Sequence, residues 1–477
     1  MGVGYDIITL YRTLKPLKTQ IIGGFMKKHL KWLSCVITAV LTLSAVTVLG
    51  AGCKDGKKIS DPQEFIDTIK EDPKADLYLD ADLDFSGIDW EPLEYHGTLK
   101  GNGHTISNIT IEEVEGDNIG IFSFGRFSIE NLKIEKLSVT YLGTGSNIGG
   151  LVGYWGTIQK ESEGFFDDCI TDVEISGTVN AIGATNVGGV VGFQHCGDTD
   201  NSFGNVTSRV DVTGSTNVGG IVGQFNWNED WYYSNSGYSS VIKKAVNYGS
   251  VTAMKETAGG IIGFNTDSAV YEKCWNHGTI KAKTHVGGIV GNAQEAEFLG
   301  CTNDGSVHAL GNAGMLEEAF AGGIVGYQQE GRIAQCTNKG EVSAKYSACG
   351  GIVGCQEDCK EILACTNQGK VSADQYVGGI AGSLKGSNML VSTCKNEGLI
   401  SGTDFVAGIV GVCLSNLGSI ISNESQIAHM TNCENSGDIY GIGEWIGAIG
   451  AGSVWGTGTE GNNKNTGNLY RNGIIIE

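Results

Sequence analysis

Ten variants of one short phrase, read most plainly as Val-Gly-Gly-Ile-Val-Gly, recur between Ile148 and Gly452. The tightest copies begin at Val286, Ala321, Cys349 and Val377. Counted from the first glycine of each pair, the steps Gly259 to Gly287, Gly322 to Gly350 and Gly350 to Gly378 are each 28 residues, and the others run from 29 to 40. A basal interval of that length, stretched here and there by loops, is the mark of a solenoid, in which each repeat buries its apolar face only against its neighbours. The chain of 477 residues therefore reads as one long domain, because a solenoid core grows in one direction without limit.

Within Val286-Gly287-Gly288-Ile289-Val290-Gly291, strand alternation puts Val286, Gly288 and Val290 on one side and Gly287, Ile289 and Gly291 on the other. Glycine at this density predicts close backbone approach or corners. About ten residues further on comes a second phrase, as in Cys274-Trp275-Asn276-His277-Gly278 and Cys336-Thr337-Asn338-Lys339-Gly340. Its Asn and Gly suit a tight turn with positive backbone torsions, and a new strand follows, so each coil is expected to hold two or three short strands. Stacked in register, the coils would form interior ladders of Val, Ile and Cys about 4.8 Å apart. The cysteine column comprises Cys274, Cys301, Cys336, Cys365, Cys394 and Cys433, with Ala245 in the equivalent slot one repeat earlier. The exchange with alanine favours small, buried, reduced thiols; disulfides remain open, and the spacing is not that of a zinc site. Cys355 and Cys359 form the closest local pair outside the column, spaced for a loop staple and not for a redox motif.

Ahead of the repeats, Met26-Lys27-Lys28-His29-Leu30-Lys31, the apolar run from Trp32 to Leu49 and Gly50-Ala51-Gly52-Cys53 have the order of an export signal. Residues 1–25 do not fit that order, so translation is expected to start at Met26, with residues 1–25 a non-native extension and 26–53 the signal. Cys53 is the candidate for lipidation, ordinary signal-peptidase cleavage being the alternative; a lipid anchor is the one membrane contact expected. Residues 54–75 read as a linker and a capping helix, with Ser60 and Gln63 spaced as a capping box and Phe65, Ile66 and Ile69 as its apolar stripe. Leu77, Leu79, Ala81, Leu83 and Phe85 then alternate with aspartates and tyrosine, the pattern of a half-buried strand. Asp80, Asp82, Asp84 and Glu91 have calcium-loop spacing, but Phe85 stands where such a loop needs glycine, so no metal is expected there. No cofactor is expected either.

Charge narrows the partners. Residues 1–52 hold six basic residues and one acidic, leaving 26 basic against 52 acidic in the remainder, net −26. Such a surface repels nucleic acid and anionic lipid.

Gly149-Gly150-Leu151-Val152-Gly153 and its later copies resemble the GLUG motif of bacterial surface proteins, a repeat found in adhesins and beside immunoglobulin A-cleaving metallopeptidases. Tyr78-Leu79, Asp82-Leu83-Asp84-Phe85, Trp90, Gly101-Asn102-Gly103-His104-Thr105-Ile106 and Ile119-Gly120-Ile121-Phe122 look like the usual lead-in to such repeats. The resemblance spans residues 76–455, leaving 456–477 as a tail or final coil, and implies an all-β, right-handed parallel β-helix on the cell surface. It does not bring the peptidase with it: none of the eight histidines is followed by glutamate, so the zinc-binding His-Glu-x-x-His is absent.

The expected function is therefore non-enzymatic, at the surface or secreted, by adhesion to a host or matrix glycan or protein through solenoid faces and inserted loops. Trp227, Trp231, Tyr232, Tyr233 and Tyr238, in the long gap after Gly220, are the candidate ligand-binding residues. A polysaccharide-degrading β-helix would need convergent carboxylates, for which Asp167, Asp168, Asp198 and Asp200, with Lys160 and Arg209 nearby, are the thin candidates. A passive spacer is the third reading.

Overall fold

The computed structural model describes residues 56–156, 168–196, 202–227, 240–266, 268–311, 319–345, 347–358, 360–386, 389–414, 429–451 and 461–476, with only the backbone of Cys196, Ser202, Asn226 and Trp227. Residues 1–55, with the signal, Cys53 and the expected start at Met26, lie outside them. From Gly56 on, the chain is a parallel β-helix solenoid, as its repeat interval predicts. Most short strands hydrogen-bond in register and in parallel to their equivalents one coil before and one coil after, the chain's last strand, Ile474–Ile475, pairing antiparallel with Leu469–Arg471 instead. Val251 pairs with Ile280, Ile280 with Val307, Val307 with Val342, Val342 with Val371 and Val371 with Ile400. All six are fully buried, so the interior is a set of aliphatic ladders.

A coil carries five strand segments, not two or three. Ala269–Glu272, Trp275–Asn276, Ile280–Ala282 and His285–Gly287 are followed by the strand that opens at Val290. Two kinds of corner divide them. One lies just before each column cysteine, where Lys273 (φ 54°), Gln335 (φ 56°), Ala364 (φ 52°) and Thr393 (φ 57°) take the left-handed conformation. The other is the glycine phrase itself. Val286, Ile289 and Val290 are all buried, so the expected alternation fails: the chain bends at Gly288-Ile289 between the strands His285–Gly287 and Val290–Leu299.

The second phrase is also not the turn its composition suggests. Asn338 and Gly340 do not have positive φ. Asn338 is fully buried, and its Nδ2 donates to the Gly340 carbonyl at 2.9 Å and to Oδ1 of Asn367 at 2.8 Å. The same pattern runs from Asn247 through Asn276, Asn303, Asn338, Asn367, Asn396 and Asn435 to Asn465, with amide-to-amide distances of 2.7–2.8 Å throughout. An interior amide is tolerated only where its hydrogen-bonding capacity is met, and an in-register column meets it by repetition. The two phrases fit each other: a Cβ on Gly323 would overlap the Asn338 amide and the Gly351 carbonyl. The second glycine of the phrase is what leaves room for the asparagine ladder.

Beside that ladder run Cys274, Cys301, Cys336, Cys365, Cys394 and Cys433, all buried and none in a disulfide. Each thiol points at a carbonyl of the preceding coil, Cys301 Sγ lying 3.3 Å from Tyr271 O and Cys433 Sγ 3.5 Å from Val391 O. Burial holds the Cys274 and Cys336 thiols well above the ordinary thiol range, which leaves them protonated and unreactive. Cys355 is buried, while Cys359 lies outside the described residues.

At the amino-terminal end a helix, Pro62–Glu71, lays Phe65, Ile66 and Ile69 against the first coils, with Phe65 packed on Phe85 and Trp90. Its cap is Asp61, not Ser60: Asp61 Oδ1 accepts from Gln63 N at 2.9 Å and Glu64 N at 3.0 Å, because Pro62 with its fixed φ suits the first helical position. The preceding residues are not all linker, since Lys57–Ile59 is a strand paired with Leu77–Leu79. Residues 464–465 and 469–471 continue the stack on Glu434–Asn435 and Ile439–Gly441.

Candidate functional site

Each glycine phrase also fixes what lies outside it. Its last glycine crosses the backbone of the preceding coil so closely that a Cβ on Gly192 would strike Asn147 and Ile148, and one on Gly263 would strike Asn217 and Val218. The residue just before each phrase and the residue just after it are thereby brought onto one side of the coil. Repeated coil after coil, they form two rows bordering a groove, in which Phe124, Tyr154, Asn217 and Phe264 are partly exposed while Phe320, Ala348 and Cys355 are buried.

In the early coils one row is aromatic and the other amide. Phe124, Tyr154 and Phe193 follow one another with ring centroids 5.4 and 5.2 Å apart. Opposite them Asn147, Asn186 and Asn217 each donate Nδ2 to the Oδ1 of the asparagine one coil earlier, at 2.8, 2.9 and 3.0 Å, beginning at Asn118. These four asparagines take positive φ (54–66°), which asparagine tolerates better than most side chains. Tyr154 lies 3.1 Å from His195 Nδ1, and burial pushes its phenol up to about 12, so it stays neutral through the physiological range.

Midway the groove deepens into a cavity of about 340 Å³ lined by Asn217, Glu256, Thr257, Phe264, Thr284, His285 and Asn292. Phe264 gives it an apolar wall, while Thr284 Oγ1 donates to the Glu256 carbonyl at 3.0 Å. Asn292 Oδ1 accepts no hydrogen bond from the described residues. Beyond it the row before the phrase carries rings: His285, Phe320 and, across from them, Tyr327 lie within 5.5–5.7 Å of one another, and after Ala348 the rings of Tyr376, Phe405 and Trp445 continue at 5.3 and 5.9 Å. Tyr327 donates to Glu357 Oε2 at 2.7 Å, which fixes its ring beside that of His285.

The residues expected from sequence to bind ligand are elsewhere. Trp231, Tyr232, Tyr233 and Tyr238 lie outside the described residues, as does the side chain of Trp227, whose backbone ends the strand Val222–Trp227. Phe225, from the same gap, is a core residue. Of the carboxylates considered for catalysis, Asp167, Asp198 and Asp200 lie outside, together with Lys160. Asp168 is buried and paired with Arg126 Nε at 3.0 Å, and Arg209 with Glu174 at 2.8 Å. Asp80, Asp82 and Asp84 face separate partners, Lys58, His104 and Asn108, and among the described residues no group of three or more His, Cys, Asp or Glu could hold a metal ion. The groove aromatics were visible in sequence had the copies been aligned: His285, Phe320, Tyr376, Phe405 and Trp445 stand immediately before a phrase, and Tyr154, Phe193, Phe264 and Tyr327 immediately after one.

No family model matches the chain, so the likeness to GLUG repeats rests on the residues alone. Halomucin of Haloquadratum walsbyi is 38% identical over 102 residues, which are 20% of this chain and 1% of halomucin. The crystal structure of a "putative immunoglobulin A1 protease" from Bacteroides ovatus is 15% identical, with 88% of this chain and 85% of that one covered at a TM-score of 0.28. A superposition at that score carries no argument about activity or substrate.

Proposed function

We propose that the chain is a non-enzymatic, exported surface protein that binds a glycan or protein ligand laid along the groove beside the glycine phrases. The observation that carries this reading is the run of rings and amides along the two rows, which opens into a cavity of about 340 Å³. Preformed clefts with apolar walls and a few placed polar groups are where ligands bind, and a solenoid extends such a cleft over many coils. The likeness of one fifth of the chain to a segment of halomucin is compatible with a surface repeat protein and names no ligand. Asp168, the one described residue among the carboxylates considered for a polysaccharide-degrading enzyme, is engaged in an ion pair with Arg126.

Residues 56–477 probed on an array of glycans and matrix proteins should give a positive signal, and the ligand should come off uncleaved. Phe264→Ala together with Tyr327→Ala should weaken that binding about tenfold or more, the usual weight of two aromatic contacts. A blank array favours the spacer; cleaved glycan revives the enzyme.

A further inference from the structure

The cavity midway along the groove takes its polarity from the amide ladder that runs into it. From Asn147 through Asn186 to Asn217, each Nδ2 donates back to the coil before. Asn217 uses its amide hydrogens on Asn186 Oδ1 at 3.0 Å and Gln224 Oε1 at 3.1 Å, so its own Oδ1 is fixed as an acceptor. Thr257 holds the next place in the column, and the ladder ends there, with Asn217 Oδ1 accepting from no described residue. A chain of amides polarised in one direction concentrates negative potential at its carbonyl end.

The rest of the lining has the same sign. Asn292 Oδ1 also lacks a donor among the described residues. Thr284 Oγ1 has committed its hydrogen to the Glu256 carbonyl and keeps only lone pairs. Glu256 is exposed and stands in no ion pair among the described residues, and no lysine or arginine lines the cavity. Phe264 is partly exposed, and its ring touches no other ring or cation among the described residues, so its face is open to a ligand.

Charge and donor count decide what enters. An anion would meet a carboxylate and amide oxygens, and a hydroxyl brings a single donor. A primary ammonium brings three donors, no acceptor and a positive charge, and an aromatic face attracts it as well. Because the cavity is a local deepening of the groove, the ammonium must arrive on a stem while the rest of the ligand stays above it. A lysine side chain has such a stem, whose methylenes pack on an apolar wall while the charged head stays among polar groups. The net charge of −26 on the chain beyond residue 52 draws a basic partner in the same sense.

We propose that this cavity is a lysine pocket, in which Asn217, Glu256, Thr284 and Asn292 receive the ammonium and Phe264 the stem of a lysine on a protein ligand lying in the groove. The proposal rests on the groove being the binding surface and names the class of ligand it takes. The full chain is titrated with Nα-acetyl-lysine methylamide, followed by saturation transfer to the ε-methylene protons of that compound. Binding should saturate in the millimolar range, as suits one side chain alone. Nε-acetylation should weaken it about tenfold or more, because the charge and two of the three donors are lost. Glu256→Gln should weaken it about fivefold, the upper end for an exposed ion pair, and Phe264→Leu, which keeps an apolar wall without the ring, about threefold. The proposal is overturned if the capped lysine does not bind, if its acetylated form binds equally well, if Glu256→Gln changes nothing, or if glucosamine binds in its place, which would make the cavity an amino-sugar site. The groove is judged separately, by whether Phe264→Ala together with Tyr327→Ala weakens capture of a ligand on the array.

Discussion

Replacing Asn338 by leucine destabilises the protein by about 4 kcal/mol, although leucine is the more apolar residue and the site is fully buried. The substitution strands three groups at once: the Asn303 amide loses its acceptor, Asn367 Oδ1 loses its donor, and the Gly340 carbonyl loses its bond. Each unsatisfied buried group costs roughly 1–3 kcal/mol, and the gain from burying leucine offsets only part of that. Because a solenoid is stabilised by nearest-neighbour contacts, a break in mid-ladder should also split a single denaturation transition into two. Urea denaturation followed by far-ultraviolet circular dichroism checks both effects, with Thr337→Ala, one residue away and outward, as a control expected within about 0.5 kcal/mol of the parent. A loss below about 1 kcal/mol for Asn338→Leu would mean the ladder adds nothing beyond its neighbours' packing.

Gly323→Ala should cost as much or more. One methyl group is added, in a backbone conformation alanine adopts readily, since Gly323 does not have positive φ. The cost comes from the space: the new Cβ would overlap the Gly351 carbonyl of the next coil and the Asn338 amide. Neither can move without breaking the strand pairing or the ladder, so a penalty of about 3 kcal/mol or more is expected from overpacking. Gly87→Ala separates this from ordinary glycine chemistry. Gly87 has φ 77° with nothing within 4 Å of its Cβ position, so alanine there should cost only about 1–2 kcal/mol of backbone strain. If the two variants unfold at the same urea concentration, close approach is not why the phrase is rich in glycine.

Much of the scaffold was legible in the chain because its physics is periodic. A 28-residue interval, valines and isoleucines at fixed places and a cysteine replaced once by alanine all report burial in a stacked core. The asparagine of the second phrase was legible as a position but not as a role. Asn-x-Gly is turn chemistry in isolation, and only stacking reveals that Asn338 meets Asn303 and Asn367. The corners were not legible at all: Lys273, Gln335, Ala364 and Thr393 share a conformation without sharing a side-chain type. The groove lay between these cases. Its rings border the phrase, but no single copy shows that Phe264 and His285, from successive coils, line one cavity. The aromatics between Trp227 and Tyr238 stand out in sequence because they form an insertion, whereas a column is visible only across repeats.

The groove and its cavity depend on the coils stacking in register, and one distance measures that directly. Thr302 pairs with Thr337, Thr337 with Thr366, Thr366 with Lys395 and Lys395 with Glu434, so Thr302 and Glu434 are four coils apart. At about 4.8 Å per parallel strand, their backbones should be separated by about 19 Å. Nitroxides placed at Thr302 and Glu434, both outward positions, should give one narrow pulsed-EPR distribution near that value, widened only by the label linkers. A broad distribution, or one centred well beyond about 30 Å, would contradict the in-register solenoid and with it the groove and the ladder.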